Sequence, residues 1–440
     1  MSDKPISSIK SSEEMYKRAC QSLPGGISHE NRVAKPFPIY VDNAGGSKKY
    51  DISGKEYIDY AMGSASLMLG HAHPDIVEAI REQAGKGTFY ADNHPLEVEW
   101  AELIKDMVPS ADQVRFVGSG TEATLLAIRI GRGHSGRPKL IRFQGHFHGW
   151  HDYVALGMTA PYDEIATKGV LEAAIEATVV CPADANAVEE AIKNDPEIGS
   201  IICEVSGANW GCVPLKEGFL EDLRRIADEN GIVLIFDEVI TGFRWSPGGV
   251  QETSGVTPDL TTMAKIVTGG MPGGAVGGKK EFIGLLDPAL GDDSVFHRGT
   301  FNGNPVAAAS GVAALKIIKT GAPQKHADAI AAKIRGGMQK VLDEHQVDGF
   351  AYGESSTFHL YIGKDSREAW ESRDINRLKS NPKDLVLYYQ NALRERGVDF
   401  MSNLGGVTSS AHTDEDVDRT LEVFESVIED LIQLGKIGRV

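Results

Sequence analysis

The chain has 440 residues, 41% hydrophobic and 24% charged, which supplies material for packed cores and excludes a disordered polymer. Its 45 Lys+Arg against 62 Asp+Glu leave a formal net charge of −17, which argues against nucleic-acid or anionic-membrane partners and confines any bound phosphate to a local pocket. No apolar run is long enough to span a bilayer, the N-terminal stretch lacks an export-type hydrophobic region, and Cys20, Cys181, Cys203 and Cys212 form neither a disulfide framework nor a zinc motif, so a cytoplasmic protein is expected.

The opening segment predicts a helix up to Leu23, broken by Pro24-Gly25-Gly26. IYVDNA and KKYDISGKEYIDY then read as short antiparallel strands, with Ser53-Gly54 as a turn. Pro74 opens a helix, PDIVEAIREQAG, at the position where proline is tolerated. From about residue 111 strands and helices alternate: QVRFV, KLIRF, ATVV, SIICEV and IVLIFD are strands with little internal alternation, as a sheet covered on both faces requires. GTEATLLAIRIGRG, DANAVEEAI and KEGFLEDLRRIADENG are the helices between them, the last closed by Asn230-Gly231. NPVAAASGVAALKIIKTG is a long apolar helix. Beyond Gly321 a charged helix, the segment FAYGESSTFHLYIG and the helix YYQNALRERG lead to a closing helix from Thr413 to Leu434, where Val417, Leu421, Phe424, Ile428 and Leu431 make one apolar stripe. Glycine, 49 residues in all, clusters at 118–120, 248–249, 269–270, 273–274, 277–278 and 299–303, and these clusters are expected to be ligand-facing loops.

Several constellations are candidates for chemistry. An apolar strand ending at Asp237 delivers a carboxylate to the carboxyl edge of a sheet, either as a capping group or as an acid facing a protonated heterocycle. Lys265 stands among Met263, Ala264, Ile266 and Val267; it is either solvated or desolvated enough to be a neutral amine able to form a Schiff base. Ser119-Gly120-Thr121 sits between a strand and a helix, as an ordinary turn or as a phosphate site at a helix N-terminus, without a Walker or GxGxxG pattern. HFHGWH holds His146, His148 and His151, but in no common zinc spacing, and no metal is assigned. Arg32 and Arg244 are each a substrate-carboxylate clamp or an internal salt bridge.

Taken together, LPGGISHENR (23–32), LGHAHP (69–74), GSGTEA (118–123), GHFHG (145–149), FDEVITGFR (236–244), TPDLTTMAKIVTGGMPGGAVGG (257–278) and GTFNGNP (299–305) resemble the class III pyridoxal-phosphate-dependent aminotransferases, in the glutamate-1-semialdehyde 2,1-aminomutase-like branch. The resemblance spans nearly the whole chain and implies an α/β protein of PLP-dependent transferase fold type I (aspartate aminotransferase-like). A large three-layer αβα domain with a mainly parallel sheet (61–321) would stand beside a smaller α+β domain (322–440), with an N-terminal segment (1–60) packing on the latter. It implies pyridoxal 5′-phosphate as cofactor, with pyridoxamine 5′-phosphate as the half-reaction form. Lys265 matches the lysine that holds the cofactor, and Asp237 the acid paired with the pyridine nitrogen. Ser119, Gly120 and Thr121 match the phosphate turn, and Thr300 the threonine that reaches the phosphate of the neighbouring subunit in a homodimer. Phe147 and Val239 match the residues on the two ring faces, Glu204 a glutamate near the cofactor, and Arg32 the arginine that binds a substrate carboxylate.

The departures bear on the reaction. The aminomutase has a Trp before LGHAHP where this chain has GSASLMLG with Ser64, and its C-terminal segment is longer and carries a glutamate; here no acid lies between Asp399 and Asp414. Trp210, in GANWGC, is a candidate new substrate wall. The expected activity is therefore a ping-pong aminotransferase acting on a carboxylate-bearing amine, with a β-amino acid bearing an apolar or aromatic substituent as one candidate and a 2-oxo acid as acceptor. The aminomutase, a decarboxylase, racemase or epimerase on the same cofactor, and a catalytically silent cofactor-binding dimer are the alternatives.

Overall fold

The strand–helix alternation after residue 111 closes into a single sheet because its strands are buried on both faces and need helices on each. A computed structural model describes residues 6–401 and 404–439. The strands in chain order are β1 (Val41–Gly45), β2 (Lys48–Asp51), β3 (Glu56–Asp59), β4 (Gln113–Val117), β5 (Lys139–Phe143), β6 (Thr178–Cys181), β7 (Ile198–Glu204), β8 (Val233–Asp237), β9 (Leu260–Ala264), β10 (Gly274–Gly278), β11 (Gly349–Tyr352), β12 (Thr357–Ile362), β13 (Val398–Asp399) and β14 (Gly406–Val407). The central sheet has the order β4-β10-β9-β8-β7-β5-β6, parallel except for β10, which runs antiparallel to both of its neighbours.

Successive residues of β8 face opposite layers. Leu234 and Phe236 pack with Leu223 and Ile226 of the helix Phe219–Asn230, while Val233 and Ile235 pack with Leu126 and Ile130 of the helix Gly120–Ser135. Burying each such side chain contributes about 1.5–3 kcal/mol. The helix Phe219–Asn230 ends on Gly231 at φ 58, in the left-handed conformation that the Asn-Gly pair predicts.

Two elements differ from the expectation. Gly274, Gly277 and Gly278 do not lie in a loop: residues 274–278 are the buried strand β10, which Gly273 precedes, and β9 lies beside it. A Cβ on Gly278 would stand 2.6 Å from Leu260 Cδ2, and one on Gly277 3.0 Å from the Ala111 Cβ, so these glycines serve close packing. The helix Pro95–Met107, with Trp100, Ile104 and Met107 buried, was also not expected.

The C-terminal region has its own core. Ile334 and Met338 of the helix Ala322–Glu344, Phe424, Ile428 and Leu431 of the helix Asp414–Gln433, and Phe358 and Leu360 of β12 pack with Ile58 and Tyr60 from the N-terminal segment. The predicted stripe is the buried face of that last helix, and Leu421 is its half-buried member. The chain ends are sewn together by β13, which runs parallel to β3 with Asp399 opposite Asp59. β11, β12 and β14 form a separate antiparallel sheet. Residues 1–5 of the predicted N-terminal segment, and residues 402–403 of the segment read as shortened, lie outside the described residues. Among the described residues no helix is long and apolar enough to cross a membrane.

A buried charge cluster holds this junction. Lys49 Nζ donates to Asp59 at 2.9 Å and also to Asp399; His71 Nε2 meets Asp59 Oδ2 at 2.7 Å, and Arg394 reaches Asp399 at 2.5 Å. Burial alone would raise the Asp59 pKa, but the His71 hydrogen bond and the Lys49 ammonium outweigh it and hold the carboxyl down to about 2. A depressed carboxyl stabilises the fold above its unfolded pKa near ~3.9 and loses that contribution as pH falls through about 2. Asp59→Asn is expected to cost about 2–3 kcal/mol, the linkage value of a carboxyl held down to about 2, because it leaves Lys49 with a single buried counter-charge. Urea unfolding at pH 7 and pH 3 checks this: the variant's deficit should shrink at the lower pH.

Candidate active site

Parallel pairing sets three side chains abreast at the carboxyl edge of the central sheet. Glu204 of β7 is opposite Asp237 of β8, and Asp237 is opposite Thr262 of β9. Asp237 Oδ1 accepts from the Val239 N–H and from Thr262 Oγ1, both at 3.1 Å, so the carboxylate is locked to its own strand end and to the next strand. Lys265 follows β9 at φ 54, a left-handed backbone that a non-glycine residue adopts only where the surroundings impose it. Its side chain is half-buried, and its amine has no hydrogen-bond partner among the described residues. Desolvation lowers the Lys265 pKa, opposed by the charges of Asp237 and Glu204 and reinforced by Arg244.

The histidine run that the sequence suggested and discarded as a metal site belongs to this carboxylate edge. His148 Nδ1–H donates to Asp237 Oδ2 at 2.7 Å, and burial lowers its pKa despite that partner, so the ring is neutral. His148 Nε2 is buried without a partner among the described residues. His146 Nδ1 accepts from the Glu204 N–H at 3.0 Å. Below them, the buried Arg142 guanidinium donates to the carbonyls of His146 and Val154, holding the loop to β5. His148 is joined to Asp237 only in the fold; its signal in the sequence is a histidine shortly after an apolar strand that ends near the same sheet edge.

Among the described residues Glu204 has no ion pair and instead gathers backbone donors. Its Oε1 accepts from the N–H groups of Phe147 at 2.5 Å and Asn209 at 3.1 Å, and its Oε2 from that of Trp210 at 2.9 Å. Burial pushes its pKa up to about 7 against those hydrogen bonds. Two loops are thereby fixed to one carboxylate: the one whose Phe147 ring remains 55% exposed, and the one bearing Trp210.

The Ser119-Gly120-Thr121 turn opens the helix Gly120–Ser135. Ser119 Oγ caps it by accepting from the Glu122 N–H at 3.2 Å. A Cβ on Gly120 would lie 3.0 Å from Val239 Cγ1 and 3.3 Å from Ala264 Cβ, and one on Gly149 would lie 2.6 Å from Thr121 Oγ1. The helix N-terminus therefore abuts Val239, the residue before Lys265, and the His148 loop. Thr300 is exposed and its side chain makes no hydrogen bond among the described residues.

Of the candidate substrate residues, two fall together. Exposed Ser64, at φ 58, lies in the turn Met62–Ala65, whose Met62 and Ala65 pack against Trp210 and Val407. Arg32 is exposed on a turn, where Nη1 donates to Ser28 Oγ at 2.9 Å and to none of the residues above. Arg244 makes no salt bridge among the described residues: fully buried, it donates to Ser356 Oγ, the Thr408 carbonyl and the Ala65 carbonyl, each at 2.9 Å. It thereby ties the turn bearing Ser64 to the C-terminal region.

A mainly parallel sheet with an acid and a lysine at its carboxyl edge, facing a capped helix N-terminus, defines the type-I fold of PLP-dependent enzymes. The aminotransferase class-III family profile matches residues 29–349, and the chain belongs to that family. It is 40% identical over 426 residues to a glutamate-1-semialdehyde 2,1-aminomutase of Ignicoccus hospitalis, covering 94% of this chain and 98% of the relative. Among solved structures it resembles an omega-transaminase from Sphaerobacter thermophilus (TM-score 0.89, 32% identity, 96% and 98% of the two chains). A beta-phenylalanine aminotransferase from Variovorax paradoxus also superposes on it (TM-score 0.86, 28% identity, 98% and 95%). The family's cofactor is pyridoxal 5′-phosphate, and the residues present fit it: an unpaired, desolvated amine, a buried carboxylate, and a helix N-terminus for an anion.

Proposed function

We propose that the chain binds pyridoxal 5′-phosphate through Lys265 and moves the amino group of a carboxylate-bearing amine. The observation that carries this reading is a desolvated Lys265 amine in the field of Asp237, whose carboxylate is held by His148, Val239 and Thr262. When bound, the cofactor supplies an electron sink that makes the Cα–H of the attached amine acidic. Asp237 then favours a protonated ring nitrogen, and Ser119, Gly120 and Thr121 hold the phosphate with first-turn amides. Phe147 and Val239 would flank the ring, Glu204 fixes the Phe147 loop, and Lys265, whose pKa desolvation lowers, would take the proton from Cα and return it. Ser64, Trp210 and Arg32 face the substrate, with Arg32 leaving Ser28 to hold its carboxylate. The units for this work are 1–60, 61–321 and 322–440.

Two outcomes share this half-reaction. Return of the amino group to the same molecule is favoured by the curated relatives: seven more of the aminomutase name are 37–38% identical. Transfer to a separate 2-oxo acid is favoured by the site itself, where Ser64 is small and exposed beside the Trp210 cluster, and by likeness to the transaminases at 32% and 28% identity. We place transfer first on the strength of the small, exposed Ser64, although the comparisons weigh more on the side of the aminomutase. The test is turnover of 3-amino-3-phenylpropanoate with and without pyruvate or 2-oxoglutarate, beside turnover of glutamate-1-semialdehyde alone. Turnover of the semialdehyde without any acceptor, and none of the β-amino acid with one, would reverse the order.

A homodimer completes the site in this reading. Phe89 and Phe301, the latter next to Thr300 in the chain, are 42% and 64% exposed with rings 5.4 Å apart, and Phe296 is 65% exposed, apolar surface suited to a second copy. Thr300→Ala is expected to weaken cofactor retention by about tenfold or more, the loss of one hydrogen bond to a charged group. An unchanged cofactor dissociation constant, measured by fluorescence titration, would remove Thr300 from the phosphate site.

A further inference from the structure

The segment bearing Trp210 is held from two sides by groups far apart in sequence. Asn209 and Trp210 are left-handed, at φ 56 and φ 52, a conformation that persists only where the surroundings over-determine it. Glu204 holds the N–H side of this turn, as described above. The carbonyl side is held by the hairpin of β11 and β12, whose cross-strand pair Tyr352 and His359 both point into it. Tyr352 Oη donates to the Cys212 carbonyl at 2.7 Å, and His359 Nε2–H to the Trp210 carbonyl at 3.3 Å. The His359 ring also lies against the Trp210 indole, with centroids 4.1 Å apart and planes at 38°. Burial pushes the His359 pKa down to about 3, so the imidazole stays a neutral donor throughout the neutral range.

We propose that His359 is a specificity-determining positioning residue: from the C-terminal hairpin it fixes the Trp210 ring as a wall of the substrate site. The proposal rests on the reading of Trp210 as substrate-facing. Among the described residues His359 makes no hydrogen bond to Lys265 or Asp237, so its influence is on which side chain fits rather than on proton transfer. A change there should therefore alter discrimination between substrates and leave the cofactor's surroundings as they are.

The test compares wild type with His359→Leu, His359→Asn, His359→Gln and Trp210→Ala as holoenzymes. It measures kcat/KM for 3-amino-3-phenylpropanoate and 3-aminobutanoate, the bound-cofactor absorbance spectrum, and the dissociation constant of the unreactive analogue 3-phenylpropanoate. Leu, which cannot donate, and Asn, too short to reach the carbonyl, should each lower the phenyl-to-methyl preference about tenfold and weaken the analogue to match, with the spectrum unchanged. Gln, whose amide N–H can reach the same carbonyl, should keep the preference within about twofold of wild type. If Trp210→Ala shifts the preference and neither Leu nor Asn does, the His359 role is overturned while the Trp210 reading stands. If Trp210→Ala shifts nothing, the Trp210 reading falls and this proposal with it. Equal losses for both substrates would show a purely structural histidine and overturn it too. Should the Leu variant not fold, the Asn and Gln variants decide the same question.

Discussion

Replacing Lys265 with alanine is expected to abolish turnover, lowering the rate by about 10²–10⁴-fold or more, with the fold intact. The amine is the only proposed group that both links the cofactor and moves the Cα proton, so no neighbour can take its place. Asp237 is a base of the wrong position, committed to His148, Val239 and Thr262, and Glu204 is occupied by three backbone N–H groups. Stability should change little, because the lysine is half-buried, its amine makes no hydrogen bond among the described residues, and removing it relieves a desolvation cost. The measurement is borohydride reduction, digestion and mass spectrometry of the peptide containing residue 265. Wild type should carry the added pyridoxyl mass there, and the variant should carry none. Full turnover in the variant, or the label on another lysine, would refute the assignment.

Asp237→Asn is expected to lower kcat/KM by about 10²–10³-fold, or ~2.7–4 kcal/mol, with little change in thermal stability. The substitution preserves shape. The Asn carbonyl can still accept from the Val239 N–H and Thr262 hydroxyl, while its NH2 meets His148 Nδ1. That contact requires the other histidine tautomer, with the proton on Nε2, whose position is buried and has no partner among the described residues. What disappears is the charge that keeps a pyridine nitrogen protonated. Single-turnover kinetics of the amine half-reaction should show the loss in the proton-transfer step, with cofactor binding weakened far less. A variant as fast as wild type would mean that the carboxylate does not face the ring.

The legibility of the site varied from residue to residue. The turn at Ser119-Gly120-Thr121 was readable as a turn between strand and helix, because that junction has a local signature, while the closeness of Gly120 to Val239 and Ala264 was not. The strand ending at Asp237 was readable because it is continuously apolar, but the roles of Asp237 and Lys265 were implied only by the ordered set of motifs, since each residue alone left a capping carboxylate or a solvated lysine as an alternative. Strand β10 was not readable, since Gly274-Ala275-Val276-Gly277-Gly278 has neither the branched side chains nor the alternation by which strands are recognised, and its reason for being glycine is the closeness of Leu260 and Ala111. Arg244 illustrates the opposite difficulty: a charge invites a charged partner, yet burial placed it among carbonyls and a hydroxyl.

By itself, the sequence determined the alternation of strands and helices, the turn at Ser119 between strand and helix, the stripe of the last helix, and the family, because each is written in spacing over a few residues or in an ordered set of short motifs. Tertiary structure alone decided that His148 supports Asp237 across 89 positions, that Glu204 joins the Phe147 and Trp210 loops, and that His359 reaches Trp210 across 149. Those contacts depend on strand order and parallel register in the central sheet, and on the C-terminal hairpin folding back over it. Periodicity along a chain carries no information about which distant segments come to lie side by side.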